Sequence, residues 1–192
     1  ECLRVYFKAE NVISGVFEVA NRLYGLSFKK LDNVQVYHED VKVYEVTDSN
    51  HDFVGLLYED LHPRPTKRNG AWMNQLRSQG LFKNNIQRPH VTFNCNLTKS
   101  TDNKPALLTL GEVRTIFHEF GHCLHGLLTN VTYQSLGGMH VYWDFVELPS
   151  QIFENWLTES DVLKLFAKHY ETGELLPQEY LDKINDLKRF MA

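Results

Sequence analysis

The 192-residue chain is poor in cysteine, with only Cys2, Cys95 and Cys123, an odd and widely spaced set. Such a set excludes a disulfide-built fold and a cysteine-only metal site. Long hydrophobic runs are missing too: nowhere do the roughly 18 consecutive apolar residues of a membrane-spanning helix occur, and residues 1–20 lack the basic-then-apolar form of a signal peptide. There is no excess of positive charge. Twenty Lys and Arg stand against 24 Asp and Glu, for a formal net charge of -4, so no overall basic field points to nucleic acid or to an anionic membrane. Repeats and low-complexity tracts are absent as well. What remains is ordinary globular usage, 43% hydrophobic and 23% charged, enough to bury the core of one domain or two small ones. The chain opens ECLRVYF, without an initiator Met and already in structured-looking sequence, so a piece of a larger protein is expected.

Periodicity divides the chain into three stretches. In residues 1–32, Val12, Val16, Val19, Ala20 and Leu23 share one helical face, and Gly25 offers a stop. Residues 33–97 change period. Val34 and Val36, Val41 and Val43, FVGLLYED from Phe53, and HVTFNCNL at 90–97 read as strands of a small antiparallel sheet. Within this stretch, LHPRPTKRNGAWMNQLRSQG at 61–80 reads as a long surface loop. Its Arg64, Lys67 and Arg68 form either a solvated face or a contact for a carboxylate or phosphate. Residues 109–192 read as helical. Thr109 and Glu112 make a capping-box pattern that starts a helix through LGEVRTIFHEFGHCLHGLL, with Gly121 inside it wanting a packing reason. NVTYQSLGGMHVYW is a loop or short strand pair. DFVELPSQIFENWL is helical with Pro149 near a start or kink, and SDVLKLFAKHYETG and PQEYLDKINDLKRF are further helices, the last begun by Pro177. The fold class expected is α+β, mainly helical.

The sharpest chemical signal is His118-Glu119-Phe120-Gly121-His122. Residues four apart on a helix face the same way, so two imidazoles can reach one ion while Glu119 lies beside it. In that H-E-x-x-H arrangement, two neutral nitrogens hold Zn2+, the metal acidifies a water and polarises a carbonyl, and the carboxylate acts as general base. A catalytic zinc takes three protein ligands. His125 is three residues beyond His122 and too far along the rigid helix axis to converge comfortably with both histidines, which suits it to a pocket or outer role. Glu147 is the preferred third ligand, on a second helix where Glu147, Gln151 and Glu154 share a face, with Glu154 left as an alternative. Asp144 is a weaker candidate for a carboxylate orienting a histidine. The longer pattern with a third histidine ligand would need Gly at 125 and His at 128, where this chain has His125 and Leu128.

The stretches FHEFGHCLHGLL at 117–128 and DFVELPSQIFENW at 144–156, with GLLYEDLHPRPTKRNGAW at 55–72 and RPHVTFNCN at 88–96, resemble the thimet-oligopeptidase-like zinc peptidases, the M3 family. YWDFVELPSQIFENW and AKHYETGELLP look most like its bacterial peptidyl-dipeptidases. The resemblance implies a zincin-like catalytic domain belonging to a larger, two-lobed helical peptidase, of which residues 1–192 are part. It implies one Zn2+ per chain on His118, His122 and Glu147, with Glu119 as general base. The activity implied is hydrolysis of short peptides, with release of C-terminal dipeptides or, alternatively, endo-acting cleavage. The family's oxyanion-stabilising tyrosine and histidine are expected beyond residue 192, so the isolated piece is expected to be weak or inactive. Two other readings remain: a small self-sufficient peptidase using Tyr133 or Tyr142 on the oxyanion, and a non-catalytic zinc-bound module. The expected partners are short peptides and the rest of the parent protein, with neither nucleic acid nor membrane. A second copy is a further candidate, docked on an exposed apolar face. The expected location is cytoplasmic, with the envelope left open.

Overall fold

The computed structural model describes residues 3–191; Cys2 lies outside the described residues. Helix α1, Ala9–Tyr24, buries Val12, Ile13, Val16, Val19 and Ala20 along one stripe. It ends where Gly25 adopts φ 68 and returns its N–H to the Asn21 carbonyl, a left-handed conformation that costs glycine little. The chain then turns at once into strand β1, Ser27–Leu31. These residues belong to the stretch expected to be helical, and the stop at Gly25 is the physical reason they are not. β1 pairs antiparallel with β2, Lys42–Thr47, and β2 with β3, Phe53–Asp60. Val34 and Val36, read as strand, lie instead in irregular chain between β1 and β2.

Strand β4, Trp72–Arg77, lies inside the stretch read as a loop. A short hairpin of β5, Gly80–Phe82, and β6, Asn85–Gln87, follows. β7, His90–Asn94, completes a five-stranded sheet of order β1-β2-β3-β7-β4. Pairing is antiparallel except between β3 and β7, which run parallel because the β4 excursion returns the chain to the same end of the sheet. Among the described residues, β4 is the outermost strand on its side.

Helix α2, Leu110–Leu127, packs on β7, β4 and β3. The capping box at its start is formed: Thr109 Oγ1 accepts from the Glu112 N–H at 3.1 Å, and Glu112 Oε2 accepts from the Thr109 N–H at 2.7 Å. Phe120 sits at the junction of the layers, within 6 Å of the rings of Phe17, Phe28, Phe93 and Phe153. Such aromatic packing adds to simple area burial. After a loop come α3, Trp143–Val146, and α4, Leu148–Asn155, broken at Glu147 with Pro149 in the first turn of α4. Pro149 therefore begins a helix, where its missing N–H costs nothing.

α4 lies unusually close to α2. A Cβ on Gly121 would stand 2.6 Å from Ser150 Cα and 2.7 Å from the Pro149 carbonyl, so glycine is what permits the approach. Helix α5, Ser160–Phe166, is shorter than its sequence pattern: the chain leaves it at Ala167, and Lys168 bridges to Leu175. Phe166 from α5 closes the core against Phe7 and Phe117. α6, Gln178–Met191, follows Pro177. None of the described helices is long and apolar enough to cross a membrane.

Candidate metal centre

The close packing of α2 and α4 delivers three side chains to one point. His118 and His122 stand one turn apart on α2, their rings 4.9 Å between centroids and nearly perpendicular at 87°. Glu147, at the break before α4, places Oε2 3.1 Å from His118 Nε2 and 3.2 Å from His122 Nε2. The candidate ligand atoms all lie within 4.8 Å of one another, so the three residues form a cluster able to hold a metal ion. Four donors set tetrahedrally at about 2.0–2.2 Å from an ion stand roughly 3.3–3.6 Å apart. The distances from Glu147 come close to that, and the mixed nitrogen and carboxylate set suits zinc.

Two of the three donors are held from behind, His118 and Glu147, whereas His122 Nδ1 is buried without a hydrogen-bond partner among the described residues. His118 Nδ1 meets Glu154 Oε1 at 2.5 Å, and the other oxygen of Glu154 takes Arg114 Nε at 2.5 Å. A carboxylate on Nδ1 leaves Nε2 as the free lone pair and raises its basicity. This orienting role belongs to Glu154; Asp144, the sequence candidate, is exposed on α3 and does not supply it. Ser150 Oγ lies 2.8 Å from Glu147 Oε2 and 2.9 Å from the Glu147 carbonyl, so its single proton can steady the carboxylate. Burial pushes the His122 imidazole below its ordinary range, which favours the neutral ring that binds metal.

Glu119 is 8% exposed and lines a cleft with His118, His122, Glu147, Arg68, Trp72 and His140. Burial raises its carboxyl above the ordinary value; His118 and Arg68 oppose that rise, and Glu147 adds to it. A carboxylate raised in this way is a better proton acceptor. His125 is outside the cluster. It faces an apolar groove of about 450 Å³ with Leu124, Leu128 and Leu148, its ring 6.1 Å from Phe145. Gln151 is exposed and does not line the cleft. Tyr133 and Tyr142, considered for the oxyanion, are 69% and 88% exposed and do not line the cleft.

The basic loop proves to be neither wholly solvated nor wholly ligand-facing. The Lys67 side chain is 1% exposed, its Nζ bonded to Asp60 Oδ1 at 2.9 Å and to three backbone carbonyls, those of Asp60, His62 and Cys95. Arg64 grips the same Asp60 with both terminal nitrogens, at 2.8 and 2.9 Å. Arg68 alone of the three reaches the cleft, its guanidinium carbon 4.2 Å from the centre of the Trp72 ring. Cys95 and Cys123 are both buried, and burial pushes the Cys95 thiol up to about 12.

The fold and the site together define a metal-binding arrangement, with an H-E-x-x-H helix, a glutamate from a following helix, and a sheet edge beside them. More particularly, the chain belongs to peptidase family M3, which it matches over residues 1–192. It is 43% identical over its whole length to oligopeptidase A of Escherichia coli (strain K12), covering 28% of that protein. It is 40% identical over 98% of its length to dipeptidyl carboxypeptidase of the same strain, again 28% of that protein. Saccharolysin of Saccharomyces cerevisiae is 37% identical over 96% of the chain, which covers 27% of it. The chain thus spans little more than a quarter of the length of these relatives.

Proposed function

We propose that the protein containing this chain is a zinc-dependent peptidase acting on short peptides, with His118, His122 and Glu147 as zinc ligands and Glu119 as general base. The observation that carries the reading is the convergence of two Nε2 atoms and one carboxylate oxygen, 3.1 and 3.2 Å apart, beside the buried Glu119. Zinc held there supplies Lewis acidity, polarising the scissile carbonyl and acidifying the attacking water.

The chain's own residues do the rest. Glu119 accepts the water proton on its carboxylate and hands it to the nitrogen of the departing amine. Glu154, anchored by Arg114, keeps His118 in the tautomer whose Nε2 faces the metal. A peptide backbone can add as a further strand along the outer edge of β4, where Ala71, Trp72 and Met73 line the cleft. That mode of binding reads an extended main chain and is indifferent to most side chains, which fits an enzyme of short peptides. Both release of C-terminal dipeptides and internal cleavage are compatible with such a cleft; the relatives named above include an oligopeptidase and a dipeptidyl carboxypeptidase.

Replacing Glu119 tests the reading. In the full-length protein, Glu119→Gln is expected to retain zinc and a normal melting temperature and to lose peptide hydrolysis by several orders of magnitude. Hydrolysis at the parent rate would remove Glu119 from the base role. Loss of zinc with the same substitution would assign it a ligand role instead.

A further inference from the structure

The cleft is lined by two carboxylates, three imidazoles and one fixed cation, Arg68. Among the described residues the neighbouring cations are all committed: Arg64 and Lys67 to Asp60, Arg114 to Glu154. Arg68 joins none of these pairs. The residue is exposed, but its backbone is anchored and its side chain rests on a ring. The guanidinium lies against the Trp72 indole at 4.2 Å. Asn96 Nδ2 donates to the carbonyls of Arg68 at 2.9 Å and Gly70 at 2.7 Å. The preceding residue, Lys67, is tied into the protein interior. A guanidinium laid on an aromatic face keeps its edge N–H groups free, and those groups form the fork that carboxylates fit.

Strand direction says which end of a peptide arrives there. β4 runs from Trp72 to Arg77, and Arg68, four residues before Trp72 in the chain, is held at that end of the strand by its contact with the Trp72 ring. A peptide added antiparallel to this free edge runs the opposite way, so its C-terminal end leaves the strand past Trp72 and meets Arg68. Parallel addition would instead bring an N-terminal ammonium to a guanidinium, which is repulsive.

We infer that Arg68, stacked on Trp72 at the entry to β4, binds a carboxylate on the C-terminal side of the peptide substrate. The inference rests on the peptidase reading above and goes beyond it by naming a residue that sets specificity. The carboxylate has two sources, the terminal α-carboxylate and an acidic side chain, and the test separates them.

Calorimetric titration of the zinc-loaded, full-length Glu119→Gln protein, which binds peptides without turning them over, provides that test. Three peptides of one neutral sequence are compared: the free acid, its C-terminal amide, and the amide carrying a single glutamate at the last position. Arg68→Gln is expected to weaken the free acid roughly tenfold, as loss of a charge-assisted pair should, and to leave the neutral amide unchanged. Arg68→Lys, which keeps the charge without the fork, should fall between. A tenfold loss confined to the glutamate-bearing amide would also support the inference, with the side chain as the ligand. Equal loss for all three peptides, or loss for none, overturns it while leaving the peptidase reading intact. If no peptide binds the Glu119→Gln protein at all, both fall together. Unchanged zinc content and melting temperature of the Arg68 variants establish that any loss is one of recognition.

Discussion

Gly121→Ala puts the positioning of the site under the most direct stress. Alanine raises helix propensity by up to about 1 kcal/mol, so in an unconstrained helix the change would stabilise. Here the new Cβ would stand 2.6 Å from Ser150 Cα and 2.7 Å from the Pro149 carbonyl. Both are backbone atoms that no rotamer change can move aside. To restore an ordinary contact of 3.4 Å, the first turn of α4 must retreat by about 0.8 Å. Overpacking of this kind costs about 1–3 kcal/mol; set against the propensity gain of about 1 kcal/mol, a net loss of up to about 2 kcal/mol is expected, lowering Tm by about 2–4 °C for each kcal/mol. The retreating turn carries Glu147, whose Oε2 now lies 3.1 and 3.2 Å from the two histidines. Metal sites tolerate errors of only about 0.2 Å in their bonds, and zinc affinity should therefore fall tenfold or more. Competition with a chelator of known affinity, alongside melts with and without zinc, measures both effects. Gly111→Ala is the control, because on the same helix its Cβ would meet nothing nearer than Thr109 Oγ1 at 3.9 Å; it should leave zinc affinity alone. If Gly121→Ala binds zinc as tightly as the parent, the reasoning that α2–α4 contact positions the site is wrong.

Other predictions follow from the same contacts. Glu154→Gln should weaken zinc binding by about 10- to 100-fold, the usual cost of removing an outer carboxylate, with the fold retained by circular dichroism; unchanged affinity would deny it the orienting role. Thr109→Ala removes the cap of α2 and should cost about 1 kcal/mol in a denaturant titration. Asp60→Asn leaves Lys67 buried with its carbonyl partners but without its counter-charge, and should destabilise by about 3 kcal/mol. Burial alone would raise the Asp60 carboxyl, but hydrogen bonds from Arg64 and Lys67 prevail and hold it below the ordinary range. Its stabilising contribution is therefore fully present above about pH 4, the unfolded value, and is lost as pH falls through the folded one. Asp60→Asn should accordingly flatten the acid side of the stability profile, and an unchanged profile would count against the pairing.

Local signals were readable from the chain, and tertiary ones were not. The Thr109 and Glu112 cap, the α2 period and the spacing of His118 and His122 each depend on residues a turn apart, so a sequence states them directly. The sequence offers Glu147 through a helical face shared with Gln151 and Glu154, and through the family resemblance. The structure brings it to the histidines differently, from the break before α4, and Gln151 takes no part. Glu154 reaches His118 from 36 residues away, a pairing that only helix packing creates. Its signal was its place one face-repeat beyond Glu147, which pointed to a carboxylate nearby but not to its partner. β4 was hidden because two prolines and Gly70 just before it dominate the local composition, and its alternation is weak: Asn74, Leu76 and Arg77 are all exposed. Lys67 looked like surface charge, since nothing nearby in sequence announces that Asp60 and three carbonyls will enclose it.

The most direct measurement is zinc stoichiometry and affinity for the protein and for its Glu147→Ala variant, by metal analysis and chelator competition. The account predicts one zinc per chain in the parent, and an affinity lower by two or more orders of magnitude when Glu147 is removed. Binding that is absent from the parent, or indifferent to Glu147, would contradict the claim that His118, His122 and Glu147 together hold the catalytic metal.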